Sequence, residues 1–191
     1  MKILSIETSC DETATCILNV KDMVEPVEFN VLANITLSQA KLHAEYGGVF
    51  PNLAKREHSK NLVPVLKEVL KKSGLEESTK KPLSSEQIKS LEELLTREPS
   101  ILEGLSKYLP TIEKPEIDVI AVTSGPGLEP ALWVGINFAK ALSIIWGIPV
   151  IPINHMEGHL LASLAKQEAG SENFAIPEFK FPVLALLISG G

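Results

Sequence analysis

"DVIAVTSGPGLEPALWVGINFAKALSIIWGIPVIPI", residues 118–153, decides the fold. The run 118–124 is short and rich in Val, Ile and Thr, as strands are, and 125–130 reads as a turn. Residues 130–146 stay apolar for too long to be one strand and predict a helix, after which "PVIPI" at 149–153 is a second short strand. Strand, helix and strand in that order form a crossover, and crossovers join parallel neighbours. A helix over 155–167 and the apolar run "PVLALLISGG" at 182–191 extend the pattern to β-α-β-α-β.

Working upstream, "KILSIET" (2–8), "ATCILNV" (14–20) and "FNVLANITLS" (29–38) are β-type runs separated by polar stretches, which predicts an antiparallel meander. Antiparallel strands followed by parallel β-α-β units are the order of a ribonuclease-H-like α/β domain. Between the two halves, Leu62, Leu66, Val69 and Leu70 recur at helical spacing until Gly74, with Gly47 and Gly48 marking a loop before them. Pro64 lies inside that helix and is expected to kink it or to mark a start near Val63. Residues 75–115 are charged and bounded by prolines, and they read as a helical insertion. Ser84 with Gln87 three residues later makes a capping box for a helix over 85–95, and Pro99 suits the first turn of another over 99–108. Their composition suggests a solvated hairpin without catalytic content.

The 191 residues are 45% hydrophobic, enough for a buried core, and 18 basic against 24 acidic residues give a charge of −6. That balance argues against a protein that coats nucleic acid and leaves room only for a local basic patch. Cys10 and Cys16, the two cysteines, make no secreted disulfide framework, so a reducing cytosol is expected. The apolar start is broken by Glu7 and is too short for a signal-peptide core, and no window approaches the ~18 apolar residues of a membrane span. A cytoplasmic protein without a membrane partner follows as the expectation.

Four stretches carry candidate chemistry. "ETSCDET", 7–13, gathers Glu7, Ser9, Asp11, Glu12 and Thr13 into one turn, which could present N–H groups to a phosphate beside carboxylates, or could be an ordinary hairpin turn. "SGPGLEP", 124–130, lets backbone approach an anion at a helix N-terminus, or simply needs Gly125 and Gly127 for positive φ and Pro130 at the first helical position. In "NHMEGHLLASL", 154–164, His155 and His159 stand about 40° apart on one helix face, close enough to chelate one ion. Glu157 is at the wrong offset for the H-E-x-x-H of zinc peptidases, and two imidazoles leave a catalytic metal site short of a ligand. "LISGG", 187–191, runs a strand into two glycines, a turn or a phosphate-contacting loop that needs something after it.

Taken together, "ILSIETSCDET", "SQAKLHAEYGGVFPNLAKREH", "SGPGLEPALWVGINFAKALS", "NHMEGHLLA" and "FPVLALLISGG" resemble the N-terminal part of the TsaD family, the tRNA N6-adenosine threonylcarbamoyltransferases. The resemblance covers nearly the whole chain, in order, except 75–115, which the better-known bacterial members lack. It implies an ASKHA fold, the actin, Hsp70 and sugar-kinase class, and transfer of threonylcarbamoyl from threonylcarbamoyl-adenylate to N6 of adenosine 37 in tRNAs reading A-starting codons. It further implies a divalent metal, iron or zinc, on His155 and His159. Leu187, Ile188, Ser189, Gly190 and Gly191 would lie in the substrate-binding loop, and Asp11 and Glu12 would line the same cleft as candidate catalytic carboxylates. A TsaB-like paralogue and a TsaE-like ATPase are the implied partners, with the helices near 51–72 and 130–146 as the paralogue's interface. In the family a second lobe follows "LISGG" and supplies the aspartate that completes the metal set. The chain is therefore expected to be incomplete at Gly191, to bind metal weakly and to lack transferase activity alone. Two rival readings remain: a non-catalytic, TsaB-like partner-binding module, and an ATP-dependent phosphotransferase or metallopeptidase on the same fold.

Overall fold

Strand β1 (Lys2–Glu7) alternates as a half-covered strand must: Leu4 and Ile6 are buried, and Ile3, Ser5 and Glu7 fall on the other face. In the computed structural model, which describes residues 1–21, 24–180 and 182–187, β2 (Glu12–Val20) returns antiparallel with Leu4 opposite Ile17 and Ile6 opposite Thr15. Strand β3 (Val27–Ser38) pairs antiparallel with β2. Helix α1 (Ala40–Ala44) and helix α2 (Pro51–Lys72) follow it. On the opposite side β4 (Val119–Gly125) runs parallel to β1, and β5 (Val150–Asn154) runs parallel to β4. The order β5-β4-β1-β2-β3, with β2 alone antiparallel among these five, is the ribonuclease-H-like arrangement that the strand pattern predicts.

Two elements differ from expectation at the C-terminal side. Helix α6 (His155–Leu164) stops short of residue 167 because Lys166–Gln167 form β6, which pairs with β7 (Asn173–Ile176), and β7 adds to the free edge of β3. Phe29 and Phe174 stack across that pairing with centroids 5.6 Å apart. The strand expected over 182–191 is not formed at 182–187, where Leu184 and Leu186 are exposed. An apolar run becomes a strand only where a neighbour takes its N–H and C=O groups, and no described strand pairs with it. Residues 188–191 lie outside the described residues.

Helices α2 and α5 (Glu129–Trp146) cover one face of the sheet, with Leu62, Leu66, Phe138 and Leu142 in one buried cluster with Leu4, Ile6, Ile17 and Ile120. Helix α2 begins at Pro51 and runs unbroken through Pro64, not from Val63. Pro64 is exposed, so its ring meets solvent, while the buried residues on either side hold the helix across the missing N–H bond. The predicted capping box closes α3 (Ser85–Leu94): Gln87 N–H donates to Ser84 Oγ at 3.1 Å and Ser84 N–H to Gln87 Oε1 at 2.9 Å. Helix α4 (Pro99–Tyr108) starts at its proline. The hairpin is not a solvated appendage: Leu91, Leu95, Ile101 and Leu105 are fully buried in the same cluster as α2 and α5. Among the described residues no helix is long and apolar enough to cross a membrane.

A buried polar relay ties α1 and α2 to the turn after β1. Phe50 N–H donates to His43 Nδ1 at 3.3 Å, so His43 Nε2–H donates to Gln39 Oε1 at 3.0 Å. At the other end His58 Nε2–H must donate to the Cys10 carbonyl at 3.0 Å, which leaves Nδ1 to accept from Thr13 Oγ1 at 2.8 Å and Gln39 Nε2 at 3.3 Å. Every member is satisfied with both imidazoles neutral. Burial pulls the His58 pKa below its usual value; the Cys10 carbonyl, Glu7 and Asp11 oppose this and His43 adds to it. The folded state then takes up this proton later than the unfolded chain, whose histidine titrates near ~6.5. Its contribution is complete above that pH and declines as pH falls below it. Urea midpoints measured from pH 7.5 to 5 should fall for the native chain and fall less for His58→Gln; parallel declines would refute the assignment.

Candidate functional site

The site forms where β1, β4 and β5 end together. Asn154, the last residue of β5, caps α6: its Oδ1 accepts from Met156 N–H at 2.9 Å and Glu157 N–H at 3.3 Å. That cap sets His155 at the first helical position, beside Glu7 at the end of β1. His155 Nδ1 stands 3.3 Å from Glu7 Oε2 and 3.4 Å from Ser9 Oγ. A carboxylate only accepts, so Nδ1 carries the hydrogen, and the neutral ring in that tautomer has its lone pair on Nε2. One turn on, His159 brings its Nε2 to 3.0 Å from His155 Nε2, with the two rings nearly perpendicular at 85°.

Glu7 is itself held in place. Parallel pairing sets it one step past the Ile6–Val122 pair, where Thr123 Oγ1 donates to its Oε2 at 2.5 Å. The other carboxylate oxygen accepts from the Ser9 N–H. Burial pulls the Glu7 pKa up, but hydrogen bonds from Ser9 and Thr123 and the nearby His155 outweigh it, and the net shift is downward. Glu7 is thus a fixed, ionised carboxylate behind His155.

The glycine-rich turn is bonded to the same region. Leu128 N–H donates to the Ser9 carbonyl at 2.7 Å, and Thr8 Oγ1 donates to the Ala131 carbonyl at 2.9 Å. Gly125 has φ +148, as expected for a glycine turn, but Gly127 has no positive φ. It is needed for room, because a Cβ there would stand 2.7 Å from the Ser9 carbonyl oxygen. The helix opens at Glu129, one residue before Pro130.

Of the residues predicted from sequence, His155 and His159 come together. Asp11 is half-buried and Glu12 exposed in the turn before β2, and neither makes a hydrogen bond or ion pair to the histidines. The acid that touches them is Glu7, read in the sequence only as one member of a turn. Thr123 was not singled out at all. Leu187 is exposed, and Ile188, Ser189, Gly190 and Gly191 lie outside the described residues. Burial pushes the Cys16 thiol up to about 11, and burial with Asp11 also raises Cys10, so neither is an activated nucleophile.

The donor chemistry suits a borderline divalent cation. The two Nε2 atoms, 3.0 Å apart, are close enough for one ion to be held by both residues. A histidine ligand commonly gives its other N–H to a carboxylate, as His155 gives Nδ1–H to Glu7. Among the described residues no group of three His, Cys, Asp or Glu side chains converges, so the pair offers two donors and open positions.

YeaZ from Pseudomonas aeruginosa is 14% identical with a TM-score of 0.41, the match covering 80% of this chain and 43% of that one. RuvC of Thermus thermophilus is 11% identical with a TM-score of 0.39, covering 85% of this chain and 69% of that one. The chain thus spans less than half the length of the YeaZ protein. The sequence model described as "TsaD: tRNA N6-adenosine threonylcarbamoyltransferase" matches residues 30–80 and 100–191, which include the relay histidines, the glycine turn and the histidine pair. On that match the chain belongs to the TsaD family.

Proposed function

We propose that the chain takes part in transferring threonylcarbamoyl from threonylcarbamoyl-adenylate to N6 of adenosine 37 in tRNAs that read A-starting codons, carrying the histidine side of the active site. The observation behind this reading is the convergence of the His155 and His159 Nε2 atoms with Glu7 fixed behind His155. When bound there, an iron or zinc ion would polarise the carbamoyl or phosphate oxygens of the substrate. The residues do the rest. Glu7 holds His155 in one tautomer and orientation, and Ser9 and Thr123 hold Glu7. The exocyclic amine of adenine is a weak nucleophile, so placing it matters more than a strong base. Asp11 and Glu12, which follow Ser9 in the turn before β2, are the carboxylates we assign to orienting that amine and accepting its proton. In this reading tRNA and the adenylate are substrates, and a TsaB-like paralogue and a TsaE-like ATPase are partners.

The test is made at the chromosomal locus of a host in which this gene is the sole family member. Threonylcarbamoyladenosine in bulk tRNA is measured by mass spectrometry. Deleting the gene should remove the modification, and His155→Ala should lower it by about 100-fold or more, since losing an ion ligand costs more than the roughly 10- to 100-fold of losing its hydrogen-bonded support. Normal modification after deletion would overturn the function. Loss on deletion but normal levels with His155→Ala would favour the TsaB-like partner-binding module instead.

A further inference from the structure

On the helical side of the sheet, a cleft of about 570 Å3 opens between the first turns of α2 and α5 and the link joining α3 to α4. It shares no lining residue with the histidine site. Its most unusual member is Glu98, a carboxylate only 3% exposed. Among the described residues its nearest cation, Lys55 Nζ, is 3.9 Å away, and its one side-chain hydrogen bond is a long 3.4 Å contact from Asn137 Nδ2. A buried carboxylate has about four lone-pair positions to fill and is costly to leave short of donors. Trp133 lines the same cleft and is 49% exposed, with Lys140 Nζ 5.8 Å above its ring. Lys55 and Arg97 are also in the lining. Arg97 and Glu98 lie outside the residues that the family model matches, whereas Glu129, the second acid of the lining, lies within them.

We propose that this cleft binds a guanine nucleotide, its base stacked on Trp133, its N1–H and N2–H donating to the two oxygens of Glu98, and its phosphate beside Arg97. The chemistry selects that base. Glu98 can only accept, so its complement must offer two adjacent donors. Guanine does so on one edge; adenine and cytosine set an acceptor beside their amine, and uracil flanks its single N–H with two carbonyls. A guanidinium also has two donors and would pair with Glu98, but it carries no phosphate for Arg97. Stacking on an exposed indole suits any base, so the acid carries the selectivity. The inference does not depend on the function proposed above. The guanine could come from a free nucleotide or from an unstacked residue of single-stranded RNA, which share this edge.

The experiment titrates the 191-residue chain with GMP, AMP and the single-stranded RNAs AAGAA and AAAAA, following tryptophan fluorescence. Of the two tryptophans Trp146 is 5% exposed, so quenching reports on Trp133. Saturable quenching by GMP at an affinity about tenfold or more above AMP is expected, the discrimination of a good bidentate contact. Glu98→Gln should bring the two affinities together, with circular dichroism as the check on folding. Should that variant not fold, Trp133→Ala, an exposed position, must lose about tenfold in GMP affinity by calorimetry. AAGAA binding well above both GMP and AAAAA identifies RNA as the source, and AAGAA no tighter than GMP identifies the free nucleotide. Equal affinity for GMP and AMP, no saturable binding, discrimination retained in folded Glu98→Gln, or undiminished GMP affinity in Trp133→Ala would overturn the proposal.

Discussion

Replacing His155 by alanine is expected to lower the chain's affinity for a divalent ion by more than about 100-fold, and Glu7→Gln to lower it by about 10- to 100-fold. The ranking follows from distance. His155 offers Nε2 directly, whereas Glu7 acts through Nδ1 at 3.3 Å, fixing which nitrogen bears the hydrogen and where the ring points. Glutamine can still occupy the position but can turn its NH2 toward Nδ1, which favours the tautomer with hydrogen on Nε2 and removes the lone pair that the ion needs. His159→Ala should match His155→Ala, since each supplies one of two converging nitrogens. Calorimetric titration with zinc of the four proteins reads the series directly. Equal affinities across it would mean that the imidazoles are not the ligands; an intact Glu7→Gln affinity beside two failed histidine variants would remove only the positioning role.

Leu105→Ala is expected to cost about 2–5 kcal/mol, the usual price of an emptied core leucine site. Leu105 is 0% exposed and belongs to the cluster that holds α2 and α5. A leucine on a solvated hairpin would instead fall within about 0.5 kcal/mol of neutral. Glu93→Ala supplies the contrast on the outer side of α3: its contact with Lys89 is 3.9 Å long and both side chains are more than two-thirds exposed, so little should change. Urea midpoints of both variants decide the matter. A small Leu105→Ala effect would mean that α3 and α4 do not share the cooperative unit of the sheet.

The hairpin illustrates what was legible and what was not. Its helix starts were readable because Ser84, Gln87 and Pro99 act locally. Its burial was misread from composition, although Leu91 and Leu95, and Ile101, Leu105 and Tyr108, recur every three or four residues and mark one apolar stripe beneath the charges. The main strands were likewise local signals, whereas β7, of four residues, exists because the edge of β3 can receive it, and β6, of two, because β7 then receives it. The histidine pair was visible because four positions along a helix is a local relation. Glu7 was not, since it meets His155 across 148 positions and Thr123 across 116, and the pairings of β1 with β4 and of β4 with β5 bring them together.

Helix α6, which carries both histidines, buries none of its residues among the described part of the chain. It is secured by the Asn154 cap and by the contact of His155 with Glu7 and Ser9, and ten residues with so little burial are marginal as a helix. If the pair binds an ion as proposed, ion capture and helix formation would be a single linked equilibrium, and the dissociation constant would be the intrinsic one divided by the fraction of time the helix is formed. Any surface that comes to rest on Leu160, Leu161 or Leu164 would tighten the hold on the ion from a distance, by raising that fraction and without adding a ligand.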